Sequence, residues 1–160
     1  MERIIYPHSD LCRLENKLPS NIENLIQQVE LLEDYEKASQ ALMDVVHQRP
    51  HEGARLALNI ISSGAGDIYL RSFAFSMLYR ADRAKAFDCS QRGAINCESE
   101  VFAAMLMEVA EDVGHLRESQ ELRQIVSLLQ SIIPLRRSDE SISLQKSVEE
   151  FLKIYGTEVP

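Results

Sequence analysis

His47 and His51 stand four residues apart, a spacing that puts two metal ligands on one face of a helix. Pro50 lies between them and breaks a helix there, because its ring clashes with the preceding turn and it has no N–H. Glu52 adds a nearby carboxylate, but the interrupted spacing makes these loop histidines at a helix end. The dipole at a helix C-terminus favours a histidine, which accounts for His47 without a metal. His8 and His115 join no cluster in the sequence. No metal site is expected.

The thiols are Cys12, Cys89 and Cys97, with no CxxC pair among them. An odd count without motif spacing fits a reduced compartment better than a disulfide scaffold, and a Cys89–Cys97 bridge stays open. A nucleophile needs an adjacent base oriented by a third group. Neither Cys89 nor Cys97 has a histidine close in sequence, and no G-x-S-x-G elbow occurs. Gly64-Ala65-Gly66 follows a helical stretch, not a strand, and lacks the Lys-Ser/Thr of a phosphate loop, so it reads as a turn between helices. Asp67 places an acid at the anion-attracting end of the next helix, which opposes phosphate binding further. The other carboxylates fall mostly on polar helix faces and single out no acid/base pair. No catalytic residue and no cofactor are expected, and the chain reads as non-enzymatic.

Charge is more informative. The 160 residues carry 17 Lys+Arg against 25 Asp+Glu, a formal charge of −8. That balance opposes general nucleic-acid binding, which needs clustered cations on the phosphates, and docking on an anionic membrane. The distribution is uneven. Residues 1–48 hold nine acids and four bases, 49–95 four and seven, 96–122 seven and one, and 123–160 five of each. At 100° per residue, Glu100, Glu108 and Glu111 project to one side of a helix, with Asp112 and Met107 beside them. Phe102, Met105, Leu106 and Val109 take the opposite side as core. An acidic stripe with an apolar centre suits a basic partner, though a merely solvated face has the same pattern. A second surface follows from Tyr69, Phe73, Phe75 and Tyr79, which share a segment with Leu70, Ala74, Met77 and Leu78. One helix face cannot bury them all, so unless the helix is covered on both sides some aromatics are exposed. The basic block containing Arg80, Arg83, Lys85 and Arg92 is interrupted by Asp82 and Asp88, and internal ion pairing is its simplest role. The expected partner-binding residues are Tyr69, Phe73, Glu100, Met107, Glu108, Glu111 and Asp112.

The elements that must position these residues are helices. Ile22, Leu25, Ile26, Val29 and Leu32 have one-face helical spacing, with Ser20 and Glu23 forming a capping box. A second run, Tyr35 to Val46, follows a cap at Asp34, although the two runs also fit one bent helix. Further helices are expected from about Glu52 to Ser63, from Ile68 to Tyr79 after Asp67, after Asp82, and after Asn96 as far as Gly114. Two more run from Leu122 to Ile133 before Pro134 and around Leu144 to Tyr155 before Gly156. No segment alternates with period two over a strand's length, apart from the ambiguous Arg3 to Tyr6. The fold class is all-α, in a single domain over residues 1–160 with an N-terminal cap segment over 1–19. Helical pairs begin near 20, 52, 82 and 116, a period consistent with stacked antiparallel hairpins, and an irregular helical bundle gives a similar spacing. No stretch reaches the length of a membrane span and no signal peptide is recognisable, so a cytoplasmic protein is expected.

The segment Asp67-Ile-Tyr-Leu-Arg71, followed by Ala74 and Leu78, resembles the second helix of a HEAT-type repeat. Glu98 to Met107 echoes it, with Phe102 where the family has arginine. The resemblance implies a short HEAT-like α-solenoid, a fold used mainly to bind other macromolecules. Leu70, Ala74 and Leu78 would face inward, Asp67 would cap the helix, and Arg71 would reach carboxylates or carbonyls of a neighbouring repeat. The Trp and Leu-Gly signature of tetratricopeptide repeats is missing. The expected function is a protein-binding module for a partner with a basic surface. Its most concrete form is a bacterial immunity protein that neutralises a toxin domain, for example a nuclease, an inference from size and charge. An adaptor or regulatory subunit of a larger complex is the alternative, and a helical lyase or DNA-repair-like enzyme comes third.

Overall fold

Side-chain caps and glycine turns cut the chain into short helices. The computed structural model describes residues 21–112 and 119–156. The Ser20 cap, the segment 1–19, Cys12, His8, Gly114, His115 and the pair start near 116 lie outside the described residues. Helices α1 (Asn21–Leu31), α2 (Tyr35–Gln48), α3 (Pro50–Ser63), α4 (Ile68–Ala81), α5 (Arg83–Gly93) and α6 (Ser99–Glu111) come first. Then follow α7 (Gln120–Ile132), a 3-10 turn (Ile133–Arg136) and α8 (Ile142–Tyr155), with no strand among the described residues.

Asp34, Asp67 and Asp82 each accept a hydrogen bond from the backbone N–H three residues on, and so cap α2, α4 and α5. Ser119 and Ser141 do the same for α7 and α8. Leu32 adopts φ 50°, in the left-handed region, so α1 and α2 are two helices and not one bent one. Pro50 sits in the first turn of α3, where its missing N–H leaves nothing unsatisfied, so the helix starts two residues before Glu52. Gly64, at φ 66°, closes α3 and donates its N–H to the carbonyls of Ile60 and Ile61. The sixth helix begins at Ser99 and not after Asn96, because the N–H groups of Asn96 and Cys97 both bond back to the Gly93 carbonyl and prolong the turn. Pro134 falls inside the 3-10 turn that follows α7.

Helices α2, α4, α6 and α8 lie side by side in that order, each packed on the next. They run in the same direction, as contacts along their lengths show. Ser72 Oγ donates to the Glu100 carbonyl near the starts of α4 and α6, and Tyr79 reaches Asp112 near their ends. Likewise Ser141 meets Glu100, and the Tyr155 hydroxyl donates to the Val109 carbonyl. A second layer covers one side of this row, with α1 and α3 under its first half and α5 and α7 under its second. The α1–α2 and α3–α4 hairpins appear as the sequence period predicts. The pairs beginning near 82 and 116 differ, since α6 packs chiefly on α4 and α8 while α5 packs on α4 and α7. Polarity explains the change: α5 buries only Ala86, Phe87 and Ser90, too little apolar surface to cover α6.

Helix α4 is the centre. It buries Leu70, Ala74, Phe75, Met77, Leu78 and Tyr79 against α2, α3, α5 and α6. Arg71 fastens its first turn: Nη1 donates to the carbonyls of Gly64 and Gly66 at 3.1 and 2.6 Å, and Nη2 pairs with Glu98 at 2.7 Å. Asp112 fastens its last turn. It accepts the Tyr79 hydroxyl at 2.6 Å and pairs with Arg83 Nε at 2.7 Å, which joins α4, α5 and the end of α6. Asp112 is therefore buried, at 7% exposure, and does not lie beside the acidic surface stripe as expected. The reason is geometric: at 100° per residue Asp112 falls about 120° from Glu100 and only about 20° from Met105, which puts it at the edge of the core face and not on the stripe. Asp112→Ala is expected to lower stability in urea denaturation by ~1–3 kcal/mol, because the Tyr79 hydroxyl loses its acceptor in a buried site. Glu111→Ala, one residue earlier and exposed, is expected to stay within about 0.5 kcal/mol of the parent.

Candidate functional site

The second layer covers one side of the α2–α4–α6–α8 row. On α4 the stripe left open consists of Tyr69, Phe73, Ser76 and Arg80, at helical spacing along its free side. Of the four aromatics, Phe75 and Tyr79 are buried, Phe73 is half-buried and Tyr69 is 73% exposed. An ordered helix thus presents one full aromatic ring to solvent.

The open stripe of α6 lies alongside. The Ser72 contact holds the start of α6 against α4, and Ser76 lies beside the Glu108 side chain further along. Glu100, Met107 and Glu108 are half-buried on this face, and Glu111 is exposed. Six of the seven expected partner-binding residues therefore share one face: Tyr69, Phe73, Glu100, Met107, Glu108 and Glu111. The seventh, Asp112, belongs to the interior.

Electrostatics sharpen the picture at Glu108. Burial pushes its carboxyl above the ordinary value of 4.5, and the neighbouring charges of Glu111 and Asp112 push the same way. Ser76 and the Arg80 charge pull it down without cancelling that rise. The fold therefore holds this carboxylate in a place that disfavours its charge.

The groove between α2 and α4 extends the same face. Tyr35, Glu36 and Ser39 of α2 face Asp67, Tyr69 and Phe73 of α4 across a hollow of about 400 Å³. The helical pattern assigns Tyr35 to the core face of α2, yet it is 43% exposed. Its place as the first residue of the helix, beyond the reach of the packed turns, is the signal that identifies it.

The basic block is largely paired. Arg83 is held by Asp112, Lys85 by Asp82 at 3.4 Å and Arg92 by Asp88 at 3.2 Å. A second hollow of about 440 Å³ opens between α3 and α5, walled by Leu58, Ile61, Cys89, Cys97, Val101 and Met105. Cys89 and Cys97 are free thiols, not a disulfide. Burial pushes both thiols up, although Arg136 Nη1, donating to Cys97 Sγ at 3.5 Å, works against the rise there. They are protonated at neutral pH and poorly suited to attack an electrophile. His47 Nδ1 donates to the Met43 carbonyl at 2.9 Å, and His51 is exposed in the first turn of α3. Among the described residues no three His, Cys, Asp or Glu side chains converge as metal ligands. Among them also, no helix is long and apolar enough to cross a membrane.

The Glu108 environment has a measurable sign. A carboxyl raised in the folded state favours folding while protonated and opposes it once ionised. Glu108→Gln, which keeps an acceptor for Ser76, is therefore expected to raise the thermal midpoint at pH 7. The gain should shrink as the pH falls through the raised folded-state value and vanish below the ordinary 4.5. Paired melting curves between pH 3.5 and 7.5 read this directly; a gain independent of pH would place the carboxyl in solvent. Compared with protein-family models, curated proteins and solved structures, the chain shows no significant match to any.

Proposed function

We propose that this chain is a protein-binding module that holds a partner with a basic surface against the open face of α2, α4 and α6. One observation carries the reading: aromatic and thioether side chains left free by the helix packing, Tyr69, Phe73 and Met107, lie among the carboxylates Glu100, Glu108 and Glu111 on one continuous face. Carboxylates steer a cationic partner during approach, and partly exposed apolar groups gain when the complex removes them from water. The burial of the Glu108 carboxyl on this face supports the same reading. A partner cation beside it offsets the burial that disfavours its ionised form, so the complex relieves a cost that the free protein bears. The narrower form, neutralisation of a toxin domain by an immunity protein, is supported by the acidity of these 160 residues.

The test starts from the full chain, immobilised at low ionic strength, and a cationic protein captured on it and then purified. Double charge reversal, Glu108→Lys with Glu111→Lys, is expected to slow association by about tenfold or more at low salt and to flatten its salt dependence. Circular dichroism of the variant checks that the fold persists. Association that is as fast as the parent's and equally salt-dependent would remove this face from the binding event. For the toxin form, co-expression with the captured protein should restore growth only when the face is intact.

A further inference from the structure

We propose that the hollow between α2 and α4 seats the guanidinium of an arginine side chain supplied by the partner. This rests on the basic-partner reading and gives its contact a definite chemistry. The hollow's walls carry three aromatic rings, Tyr35, Tyr69 and Phe73, and its rim two carboxylates, Glu36 and Asp67. Among the described residues, no lysine or arginine lines it. Asp67 Oδ1 is committed to the Leu70 N–H at 2.8 Å, and among the described residues no other bond engages this carboxylate. Glu36 makes no ion pair among the described residues.

These groups are arranged for a flat cation. An aromatic ring attracts a cation over its face, and Tyr69 leaves most of its ring available at 73% exposure. Half-buried Phe73 offers apolar surface to the methylene stem of a long side chain, while the rim carboxylates meet its charged end. Arginine suits the seat better than lysine. Its planar group lies against a ring while its edge donates to a carboxylate, and it is less strongly hydrated than an ammonium.

One opposing term is present and is outweighed. The N-termini of α2 and α4 both lie at this end, each equivalent to roughly half a positive charge. Asp34, Glu36 and Asp67 supply three full negative charges there. Among the described residues, only Asp34 of these three has an ion-pair partner, Lys37 at 3.9 Å. The local balance remains negative, so an anion is disfavoured.

The probe is the tripeptide acetyl-Ala-Arg-Ala-amide, titrated into the isotope-labelled full chain with aromatic resonances observed by NMR. Its control is the same peptide with citrulline, which keeps the shape and hydrogen-bonding edge but removes the charge. Saturable shifts at Tyr35, Tyr69 and Phe73 are expected with arginine and not with citrulline. Tyr69→Ala, at an exposed position, is expected to weaken the arginine response by about threefold. Equal responses to the two peptides, or an arginine response untouched by Tyr69→Ala, would overturn the assignment. A helical peptide with lysines and no arginine separates this from the wider reading. If Glu108→Gln with Glu111→Gln weakens that peptide while the arginine tripeptide leaves Tyr69 unmoved, the face binds basic chains and the arginine seat is wrong. If the tripeptide binds and the lysine helix does not, the seat stands and the wider face reading falls.

Discussion

Helix α4 sets the terms for the rest of the molecule. Its residues are apolar around nearly the whole circumference, so it must be covered on several sides at once. Four other helices do this, and their positions follow from it: α2 and α6 on its flanks, α3 and α5 beneath. Its two ends are then fastened by groups that cannot be left unpaired in such a place. Arg71 gathers the two carbonyls of the preceding turn together with Glu98, and Asp112 gathers Tyr79 with Arg83. Once flanks, underside and ends are occupied, one stripe of α4 stays free. The candidate interface is built on that remainder.

Local signals were legible in the sequence wherever one residue decides the backbone. Asp34, Asp67 and Asp82 cap helices as their spacing predicts, because each cap needs only its own side chain and an N–H three residues on. Gly64 ends α3 because the backbone there takes a positive φ. Pairing of helices was legible for the first half alone. The period near 30 residues treats every hairpin as equivalent, but α5 buries only three of its side chains and cannot serve α6 as α3 serves α4. Close approach was hidden as well. Gly53 is buried where α3 crosses α2, and a Cβ there would stand 2.8 Å from the Cα of Val46. Nothing in a helical pattern marks such a glycine, since the contact lies between elements.

The same division explains what could be seen of the open face. Tyr69 and Phe73 were recognisable because too many aromatics share α4 for one face to bury. Glu100, Met107, Glu108 and Glu111 were recognisable because they lie within a regular helix, where 100° per residue holds. Asp112 was misplaced because the stripe was drawn too wide: the same projection puts it about 20° from Met105, at the edge of the core face. Its direction depends on Tyr79 and Arg83, which come from two other elements. The α2 side of the groove was missed for a related reason. Tyr35 has the spacing of a core residue, and only the end of the helix shows that no neighbour reaches it.

Glu108 and Asp112 are four residues apart and take opposite roles. Asp112 is the more deeply buried, yet a hydroxyl and a guanidinium in direct contact meet its charge. Glu108 is only half-buried, yet its carboxyl is pushed up, because Ser76 and the charge of Arg80 do not offset burial and two neighbouring acids. A chain selected for stability alone would place a glutamine or an apolar residue at such a position. Glu108 thus stands on an open face beside Met107 as an acid whose charge its neighbours offset less fully than Tyr79 and Arg83 offset that of Asp112.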